Sequence, residues 1–506
     1  KYENPLSKNL KLNLKNAYKV VLSARYVTNE EGTGLVHTAP GHGKEDFEVG
    51  EENNLDMPCP VGLNGILTEE AGKYSGKKAR EVDKEIIEDL KQNNALVYEK
   101  KFTHDYPICW RCKSPLLMVS IPQWFLKISE IQKDILKENK KTNWIPKWME
   151  LRMNAWLEGI SDWPISRKRY WGTPLPIWQC DKCEEKIVVG GIKELEKLSK
   201  QTVKEIHKPE IDKITIPCKC GNKMKRVEEV LDVWFDAGVS SWAAIDSEKE
   251  LKKFWPADLN IEGKDQVRGW WNAEFILSQI KFNRKPFETI LEHGMILDIS
   301  KRKMSKSLGN ATTPKEIIDK YSRDYMRYYF AKTSKGEDFS FNENDFKEVQ
   351  SVFRVLLNIN NFIKQTTKTK RKENIEDKWI LSKYHSFLKK SQENYTSDKF
   401  PEVIKEVEQF IIEDFSKTYI KMIRGRVGET YNILNEIRIG LLKILAPIIP
   451  FITEKIWQDL RELKIVSEKS IHLSNWPKPN NNKINSSLET EMDFVLKAIE
   501  AGLAER

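Results

Sequence analysis

Residues 300–310, SKRKMSKSLGN, concentrate positive charge within eleven positions. The four cationic side chains are Lys301, Arg302, Lys303 and Lys306. Like charges repel one another, so a fold gains stability from this crowding only when an anion lies among them. A loop of lysines and serine hydroxyls can fold over a triphosphate and neutralise the charge that develops as pyrophosphate leaves. A solvated basic loop without a ligand is the alternative.

A second segment, IEGKDQVRGWW at residues 261–271, combines acids, an amide and a glycine. Glu262 and Asp265 are acidic, and Gln266 carries both a donor and an acceptor. Gly263 permits close approach of the backbone to a ligand. Such a loop can hold an amine and a ribose, although an ordinary turn after a strand is the alternative. The two tryptophans that follow favour a core or a pocket wall.

GTGLVHTAPGHGKEDF, residues 32–47, places His37, His42 and Asp46 in one glycine-bounded loop. A carboxylate in such a loop could bind the α-ammonium group of an amino acid. Asp46 could equally cap a helix that begins near Lys44. The residues alone leave both interpretations open.

The cysteines are grouped in a way that favours metal over disulfides. They are Cys59, the pair Cys109 and Cys112, the pair Cys180 and Cys183, and the pair Cys218 and Cys220. The last two pairs, 34 residues apart, supply the four thiolates of a tetrahedral structural zinc site. Unrelated buried cysteines are the alternative. The CWRC pair is only half a site, and Cys59 is most simply a buried apolar residue.

The length of 506 residues suggests roughly three domains. Hydrophobic residues make up 40% and charged residues 31%, and the net charge of +9 is compatible with a polyanionic partner. The apolar stretch at 441–452 is too short for a bilayer and predicts two buried helices separated at its prolines. The chain begins with Lys1 and has no signal peptide, so we expect an excised piece of a longer, cytoplasmic protein.

The secondary structure predicted from the sequence changes along the chain. Residues 1–100 mix β-like runs, such as YKVVLSARYVT, with turns, and end in a helix predicted at 77–94. From 101 to 345, VLDVWFDAG, LNIEGKDQ and TILEHGMIL each predict a strand that enters a polar loop, as in α/β sheets. From 346 onward, long helices with few glycines predict an all-α bundle. Its apolar positions at helical spacing include Ile404, Val407, Ile411, Phe415 and Tyr419.

Several segments together resemble class I aminoacyl-tRNA synthetases, and within that class the isoleucyl-tRNA synthetase family. Valyl and leucyl enzymes are close relatives, but GHGKEDF, RYWGTPLPIW and DVWFDAG suit the isoleucyl family best. The resemblance covers nearly the whole chain. The segments that carry it are SKRKMSKSLGN, GTGLVHTAPGHGKEDF, WPISRKRYWGTPLPIW, DVWFDAGVSSW, IEGKDQVRGWW and LAPIIPFITEKIW.

The resemblance implies an α/β plus all-α architecture. Residues 1–100 correspond to the C-terminal part of a β-rich editing domain. Residues 101–345 correspond to the second half of a Rossmann-like catalytic domain, with a zinc-binding insertion at about 178–225. Residues 346–478 correspond to a helical anticodon-binding domain, and 479–506 to the start of a further C-terminal region.

Roles for individual residues follow from the resemblance. Lys303 and Lys306 match catalytic positions, and the ATP-binding positions are Lys303, Met304, Ser305, Lys306 and Ser307. The positions that contact the aminoacyl-adenylate are Glu262, Gly263, Asp265 and Gln266. His37 and Asp46 match functional positions of the hydrolytic editing site. The half-site of Cys109 and Cys112 has its partner pair upstream in the family.

A basic cluster in DFSKTYIKMIRGR brings Lys421, Arg424 and Arg426 together on a predicted helix. A solvated helix face is the default interpretation of such a cluster. The resemblance instead implies contact with tRNA phosphates.

The implied activity is ATP-dependent activation of isoleucine, with Mg²⁺, and transfer to tRNA(Ile). Mischarged valine would be hydrolysed, because the one methylene that separates it from isoleucine is worth only ~1–3 kcal/mol, a figure taken from this synthetase family. The family's ATP-binding tetrapeptide His-x-Gly-His is absent. We therefore expect a chain that lacks its N-terminal portion, is inactive alone, and is monomeric when complete. The alternatives are a non-catalytic tRNA-binding module or split-enzyme subunit, and a valyl or leucyl relative.

Overall fold

The computed structural model describes residues 2–30, 32–109, 111–304, 309–370 and 373–505. The chain divides into two compact units, Lys1–Trp124 and Phe125–Arg506. Residues 101–124, expected in the catalytic domain, therefore lie in the first unit.

The helices of the first unit are α1, Lys44–Glu52, and α2, Asp83–Gln92. A small apolar core forms where Ala71, Tyr74 and Val82 pack together. The polar face of α2 also contributes to this core, because buried Asp89 accepts hydrogen bonds from the Tyr74 hydroxyl at 2.5 Å and from Lys73.

Two local predictions for the first unit are wrong. The β-like run at 18–28 forms no strand among the described residues, because extended backbone is a strand only when a neighbour accepts its hydrogen bonds. The helix predicted from residue 77 begins at Asp83. The reason is that the backbone at Lys77 and Ala79 is bonded to Leu67 and Gly65, at 2.9 and 3.0 Å.

The second unit begins with an α/β region whose central sheet is parallel. Its strands are β1 Phe125–Leu126, β2 Asn143–Ile145, β3 Trp163–Pro164, β4 Ser166–Arg167, β5 Ile177–Cys180, β6 Lys186–Val188, β7 Ile216–Pro217, β8 Lys223–Arg226, β9 Val230–Leu231, β10 Ala257–Gly263, β11 Phe287–His293, β12 Ile296–Leu297 and β13 Phe339–Ser340. The order β10-β11-β2 forms the parallel sheet, and β6-β5-β8-β7 forms an antiparallel one. The helix Trp270–Phe282 connects β10 to β11, which makes a βαβ unit.

Eight α-helices of this region lie within the described residues. They are α3 Gln132–Lys140, α4 Met149–Glu158, α5 Ile192–Ser199, α6 Val233–Ala243, α7 Glu248–Phe254, α8 Trp270–Phe282, α9 Pro314–Lys320 and α10 Arg323–Thr333. Trp271 is fully buried against Trp144, with ring centroids 5.5 Å apart. Its indole N–H donates to Asn260 Oδ1 at 3.0 Å. The predicted core role of this tryptophan is thus confirmed.

Two of the three predicted strand-to-loop transitions are confirmed. LNIEGKDQ and TILEHGMIL overlap the ends of β10 and β11, which finish at Gly263 and His293. VLDVWFDAG behaves differently, because its strand stops at Leu231 and a helix follows at once. Asp232 caps that helix, α6, by accepting the backbone N–H of Trp234 at 3.3 Å.

The C-terminal part is a helical bundle, as expected. Its helices are α11 Phe346–Lys364, α12 Ile375–Thr396, α13 Phe400–Glu408, the π-helix Gln409–Tyr419, α14 Ile420–Met422, α15 Tyr431–Leu445, α16 Pro450–Glu462 and α17 Ser486–Ala504. The five apolar positions predicted from spacing are all buried. The π-helix was not predicted. Its buried side chains include Phe410, Ile411, Phe415 and Tyr419.

The bundle is longer than the predicted domain. Tyr328 and Tyr329 of α10 belong to its core, so packing starts before residue 346. Leu488 and Met492 of α17 pack against the same core, so the last helix continues the bundle. The break at the prolines is confirmed, since α15 ends at Leu445 and α16 begins at Pro450. Within the described ranges, every helix is too short or too polar to cross a bilayer.

Candidate active site and metal centre

The carboxyl ends of β10 and β11 meet at one edge of the parallel sheet. Gly263 pairs in register with His293, and Glu262 pairs with Glu292. In parallel α/β sheets this edge is where ligands bind. The four predicted adenylate-contacting residues lie there, two at the end of β10 and two in the 3₁₀ turn Lys264–Arg268.

Side-chain contacts give this turn a defined shape. Gln266 accepts the backbone N–H of Trp270 at 2.9 Å and donates to Asp265 Oδ2 at 3.1 Å. A side chain at Gly263 would place its Cβ 2.8 Å from Asp265 Oδ1, so only glycine leaves this carboxylate in position. Asp265 is exposed, and Glu262 is half-buried. The loop can therefore offer carboxylate oxygens to a ligand amine or hydroxyl.

Glu292 is a site residue that the sequence analysis missed. It is only 2% exposed, and neither carboxylate oxygen has a hydrogen-bond partner within the described residues. Burial raises its pKa to about 7, against the opposing effect of Lys264 and Arg152. Lys264 itself pairs with Asp338 at 2.6 Å. An acidic residue near the carboxyl end of a strand was the available signal.

The signature loop, residues 300–310, leaves the same sheet region. The chain passes from β11 at His293 into β12 at Ile296, and Lys303 then forms an isolated bridge with Leu297. Lys303 is exposed, and its ammonium group has no partner among the described residues. Met304 is half-buried. The predicted ATP-binding residues Ser305, Lys306 and Ser307 lie outside the described residues.

Four cysteines converge in the antiparallel sheet within the predicted insertion. Sγ of Cys180 lies 3.6 Å from Sγ of Cys220, and Sγ of Cys183 lies 3.5 Å from Sγ of Cys218. All four sulfur atoms lie within 4.8 Å of one another. A tetrahedral zinc with Zn–S bonds of ~2.3 Å requires sulfurs roughly 3.8 Å apart. The geometry therefore suits a metal with four thiolate ligands.

Backbone N–H groups favour the thiolate form of these cysteines, although the neighbouring thiols and burial raise the pKa of Cys183 and that of Cys218. Each pair is followed by a residue with positive φ, Glu184 at 59° and Gly221 at 82°, which turns the chain back on itself. The backbone N–H groups of Cys183 and Lys182 point at the Cys180 sulfur and lower its pKa to about 6. A thiolate is the form that binds a metal.

The half-site in the first unit has the same turn as Cys180 and Cys183. The N–H of Cys109 donates to Ser114 O at 2.8 Å, as the N–H of Cys180 donates to Glu185 O at 3.0 Å. Lys113 has a φ of 62°, which matches Glu184. Ser114 lowers the pKa of Cys112 to about 7. The described part of the first unit offers this pair no further group of ligands.

A cavity of about 990 Å³ lies in the first unit and contains the predicted editing residues. Asp46 and the exposed His37 both line it, among mostly apolar residues. The Nδ1 atom of His42 forms a hydrogen bond with the backbone carbonyl oxygen of Met118, 2.8 Å away. The capping role for Asp46 is wrong, because the N-cap of α1 is Gly43 and no side chain caps the helix. Asp46 has no hydrogen-bond partner in the described part of the chain.

The basic cluster of the bundle divides into two kinds of residue. Lys421 and Arg424 are exposed. Arg426 is not available for a phosphate, because its guanidinium donates to Asp377 at 2.7 and 2.9 Å and to Glu376 at 2.7 Å. The helix also ends at Met422, so neither arginine lies on it as predicted.

We predict that Asp377→Ala lowers the free energy of unfolding of the bundle by roughly 3–5 kcal/mol, because it leaves the Arg426 charge poorly compensated. Tyr419 also loses its acceptor, 2.7 Å away. Burial opposes ionisation of Asp377, but hydrogen bonds from Arg426 hold its pKa below the ordinary value. Its contribution is therefore complete above about pH 4 and is lost as the pH falls through the folded-state pKa.

Urea unfolding followed by circular dichroism measures this effect at pH 7 and again in acid, where the deficit should shrink. Glu413→Ala is the matched control, because it removes an exposed ion pair with Lys417 worth at most about 1 kcal/mol. A deficit in Asp377→Ala no larger than in this control would contradict the prediction.

Comparison with known proteins identifies the class of protein to which this chain belongs. The family model for tRNA synthetases class I (I, L, M and V) matches residues 11–342, and the model for the anticodon-binding domain of tRNA ligase matches residues 377–504. This chain therefore belongs to the class I tRNA synthetase family.

Within that class, the curated relatives are isoleucine–tRNA ligases, which confirms the resemblance found in the motifs. The ligase of Methanothermobacter thermautotrophicus is 40% identical over 530 residues, covering 99% of this chain and 51% of the relative. That of Methanosarcina barkeri is 38% identical over 531 residues, covering 99% and 50%. The chain thus spans about half the length of the curated relatives it matches.

Solved structures support the fold. Methionyl-tRNA synthetase of Mycobacterium tuberculosis in complex with methionyl-adenylate aligns with a TM-score of 0.51 at 14% identity, covering 74% of this chain and 73% of that one. The LeuRS of Agrobacterium radiobacter K84, in a ternary complex with tRNA and LeuAMS, aligns with a TM-score of 0.50 at 23% identity, covering 64% and 44%.

Proposed function

We propose that this chain is part of an isoleucine–tRNA ligase that activates isoleucine with ATP and transfers it to tRNA(Ile). The observation that carries the proposal is the shared sheet edge, where the Glu262–Gln266 turn and the start of the signature loop follow two neighbouring parallel strands. Acidic groups for an amine or ribose and cationic groups for phosphates thus come from adjacent strand ends. The sequence similarity to isoleucine–tRNA ligases supports the choice of amino acid.

The reaction has two steps. A carboxylate oxygen of isoleucine attacks the α-phosphorus of ATP, and the bond to pyrophosphate breaks. A ribose hydroxyl at the tRNA 3′ end then attacks the acyl carbon, and AMP leaves. Glu262, Asp265 and Gln266 would orient the adenylate, and Lys303 would stabilise charge on the departing pyrophosphate together with Lys306. Mg²⁺ on the phosphates would supply additional charge neutralisation.

The test is amino-acid-dependent ATP–pyrophosphate exchange by the full-length gene product. Isoleucine should exceed valine in kcat/KM by roughly 100-fold, the discrimination known for this synthetase family. Preference for valine or leucine would overturn the choice of substrate. Binding of tRNA without exchange for any amino acid would instead indicate a tRNA-binding module.

The cavity of the first unit is proposed as the site where mischarged valine is hydrolysed. His37 and Asp46 line a space large enough for an aminoacyl-nucleoside, and Asp46 lies in the first turn of α1, where the helix dipole favours a carboxylate. Asp46 would bind the α-ammonium of the misacylated residue.

We predict that Asp46→Ala in the full-length gene product leaves isoleucine activation nearly unchanged while valyl-tRNA accumulates. The carboxylate would orient only the substrate for hydrolysis, and it lies in a different unit from the sheet edge. Deacylation of preformed valyl-tRNA measures the effect, with at least tenfold slower hydrolysis expected. Glu51→Ala, at the other end of α1 and outside the cavity, is the control. Wild-type clearance of valyl-tRNA by Asp46→Ala would remove Asp46 from the site.

The four-cysteine cluster is proposed to hold one structural Zn²⁺, because four thiolates leave no position open for catalysis. The exposed Lys421 and Arg424 are proposed to contact tRNA phosphates. Because the proposed substrate is tRNA, the protein would act in the cytoplasm.

A further inference from the structure

One carboxylate, that of Asp298, joins the two ends of the signature loop. Asp298 follows β12 directly and is 9% exposed. Its Oδ1 accepts the backbone N–H groups of Ser300 and Arg302, both at 2.9 Å. Its Oδ2 accepts the side-chain amide of Asn310 at 2.9 Å. The carboxylate therefore bonds both the beginning and the end of the loop.

Asn310 completes the connection. The same amide nitrogen that reaches Asp298 also donates to the carbonyl oxygen of Lys303 at 3.2 Å. The bridge between Lys303 and Leu297 ties this side to β12, which pairs with β13. We refer to the contacts among Asp298, Lys303 and Asn310 as the neck of the loop.

The Asp298 carboxylate of the neck is held in its ionised form. The backbone N–H of Arg302 and the amide of Asn310 hold the pKa of Asp298 at about 2. Arg302 also forms an ion pair with Asp298 at 3.1 Å, so one of the crowded cations has its own counter-charge. The ammonium of Lys303 has no such partner among the described residues, which leaves it available for an external anion.

We propose that Asp298 and Asn310 are positioning residues that close the neck and orient Lys303 toward the phosphates of ATP. The inference rests on the proposed function. Hydrogen bonds that already fix the backbone of Lys303 reduce the conformational entropy that is lost when its side chain meets a ligand. Lys303 then meets the developing charge in a prearranged position, which is the requirement for electrostatic stabilisation of a transition state.

The test is Asn310→Ala in the full-length gene product, assayed by isoleucine-dependent ATP–pyrophosphate exchange. We expect kcat to fall about tenfold while the KM for ATP changes less than threefold, because the orientation of Lys303 matters most in the transition state. In a Lys303→Gln background the same substitution should lower kcat less than twofold, since the ammonium group that Asn310 positions is absent. Asn310→Asp, which sets a second carboxylate against Asp298, should lower kcat at least as much as Asn310→Ala.

Thr313→Ala is the matched structural control. It removes the N-cap of α9, three residues after Asn310, without touching the neck, and should retain kcat within twofold. Unchanged kcat in Asn310→Ala, or an equal loss with and without Lys303, would overturn the positioning role. Absence of exchange in the wild-type protein would instead overturn the proposed function, and this inference with it.

Discussion

Replacement of Lys303 by glutamine should lower kcat for isoleucine activation about 100-fold in the full-length gene product, with little change in the KM for isoleucine. Lys303 is exposed, lacks an ion-pair partner among the described residues and is bonded through its carbonyl to the neck. Its charge therefore has no described partner within the fold, and under the proposed function it meets the phosphates of ATP. A preorganised group that stabilises transition-state charge is worth ~2.7–4 kcal/mol, which corresponds to a loss of at least 100-fold.

Steady-state ATP–pyrophosphate exchange separates kcat from KM for this variant. Lys315→Gln is the matched control, because it neutralises another exposed lysine on the following helix, α9. We expect it to remain within twofold of the wild type. Equal losses in the two variants would mean that the region acts only through its summed charge. A large rise in the KM for isoleucine with unchanged kcat would assign Lys303 to ground-state binding.

Sequence patterns with a short period predicted the bundle well. The spacing of Ile404, Val407 and Ile411 marks one face of a helix, and all three are buried. The prolines after Leu445 end one helix and start the next, because proline suits only a first helical turn. The cysteine pairs were equally informative, since ligand number and spacing are local properties of the chain.

Features that depend on distant partners were not predictable. Arg426 looked like a phosphate ligand until the structure placed it against Asp377, which is 49 positions away in the sequence. The π-helix likewise depends on how Phe410 and Phe415 pack against other helices, which residue spacing alone does not reveal. The run at 18–28 has β-forming residues but no neighbouring strand, so propensity without pairing gave the wrong element.

The residues of the candidate site also divide into those that the sequence predicts and those that only the structure reveals. Acids and a glycine in one short segment identified the turn after β10, because their chemistry is visible in the sequence. Glu292 was missed, because its importance lies in its burial without a hydrogen-bond partner, which only packing determines. Asp298 and Asn310 were missed because the bond between their side chains exists only once the loop has folded back.

Purified protein of residues 1–506 should contain one tightly held zinc, and Cys180→Ser combined with Cys218→Ser should abolish it. The two substitutions leave only two thiolates, one from each pair. Binding of structural zinc contributes ~10–16 kcal/mol to the folding of zinc-finger peptides. The antiparallel sheet of residues 177–226 packs on its own small apolar core, to which Cys180 and Cys218 belong, so loss of the metal should loosen this part of the structure. Metal analysis gives the stoichiometry, and the rate of proteolysis within 177–226 reports the unfolding.

Two further variants locate the metal. Cys59→Ser should keep the full zinc content, because Cys59 lies outside the cluster. Cys109→Ser combined with Cys112→Ser should also keep it, since that pair alone cannot complete a tetrahedral site. Zinc retained in the Cys180 and Cys218 variant but lost in the Cys109 and Cys112 variant would place the metal in the first unit. The sulfur geometry argues against that outcome, because Sγ distances of 3.5 and 3.6 Å already match a tetrahedron around one ion.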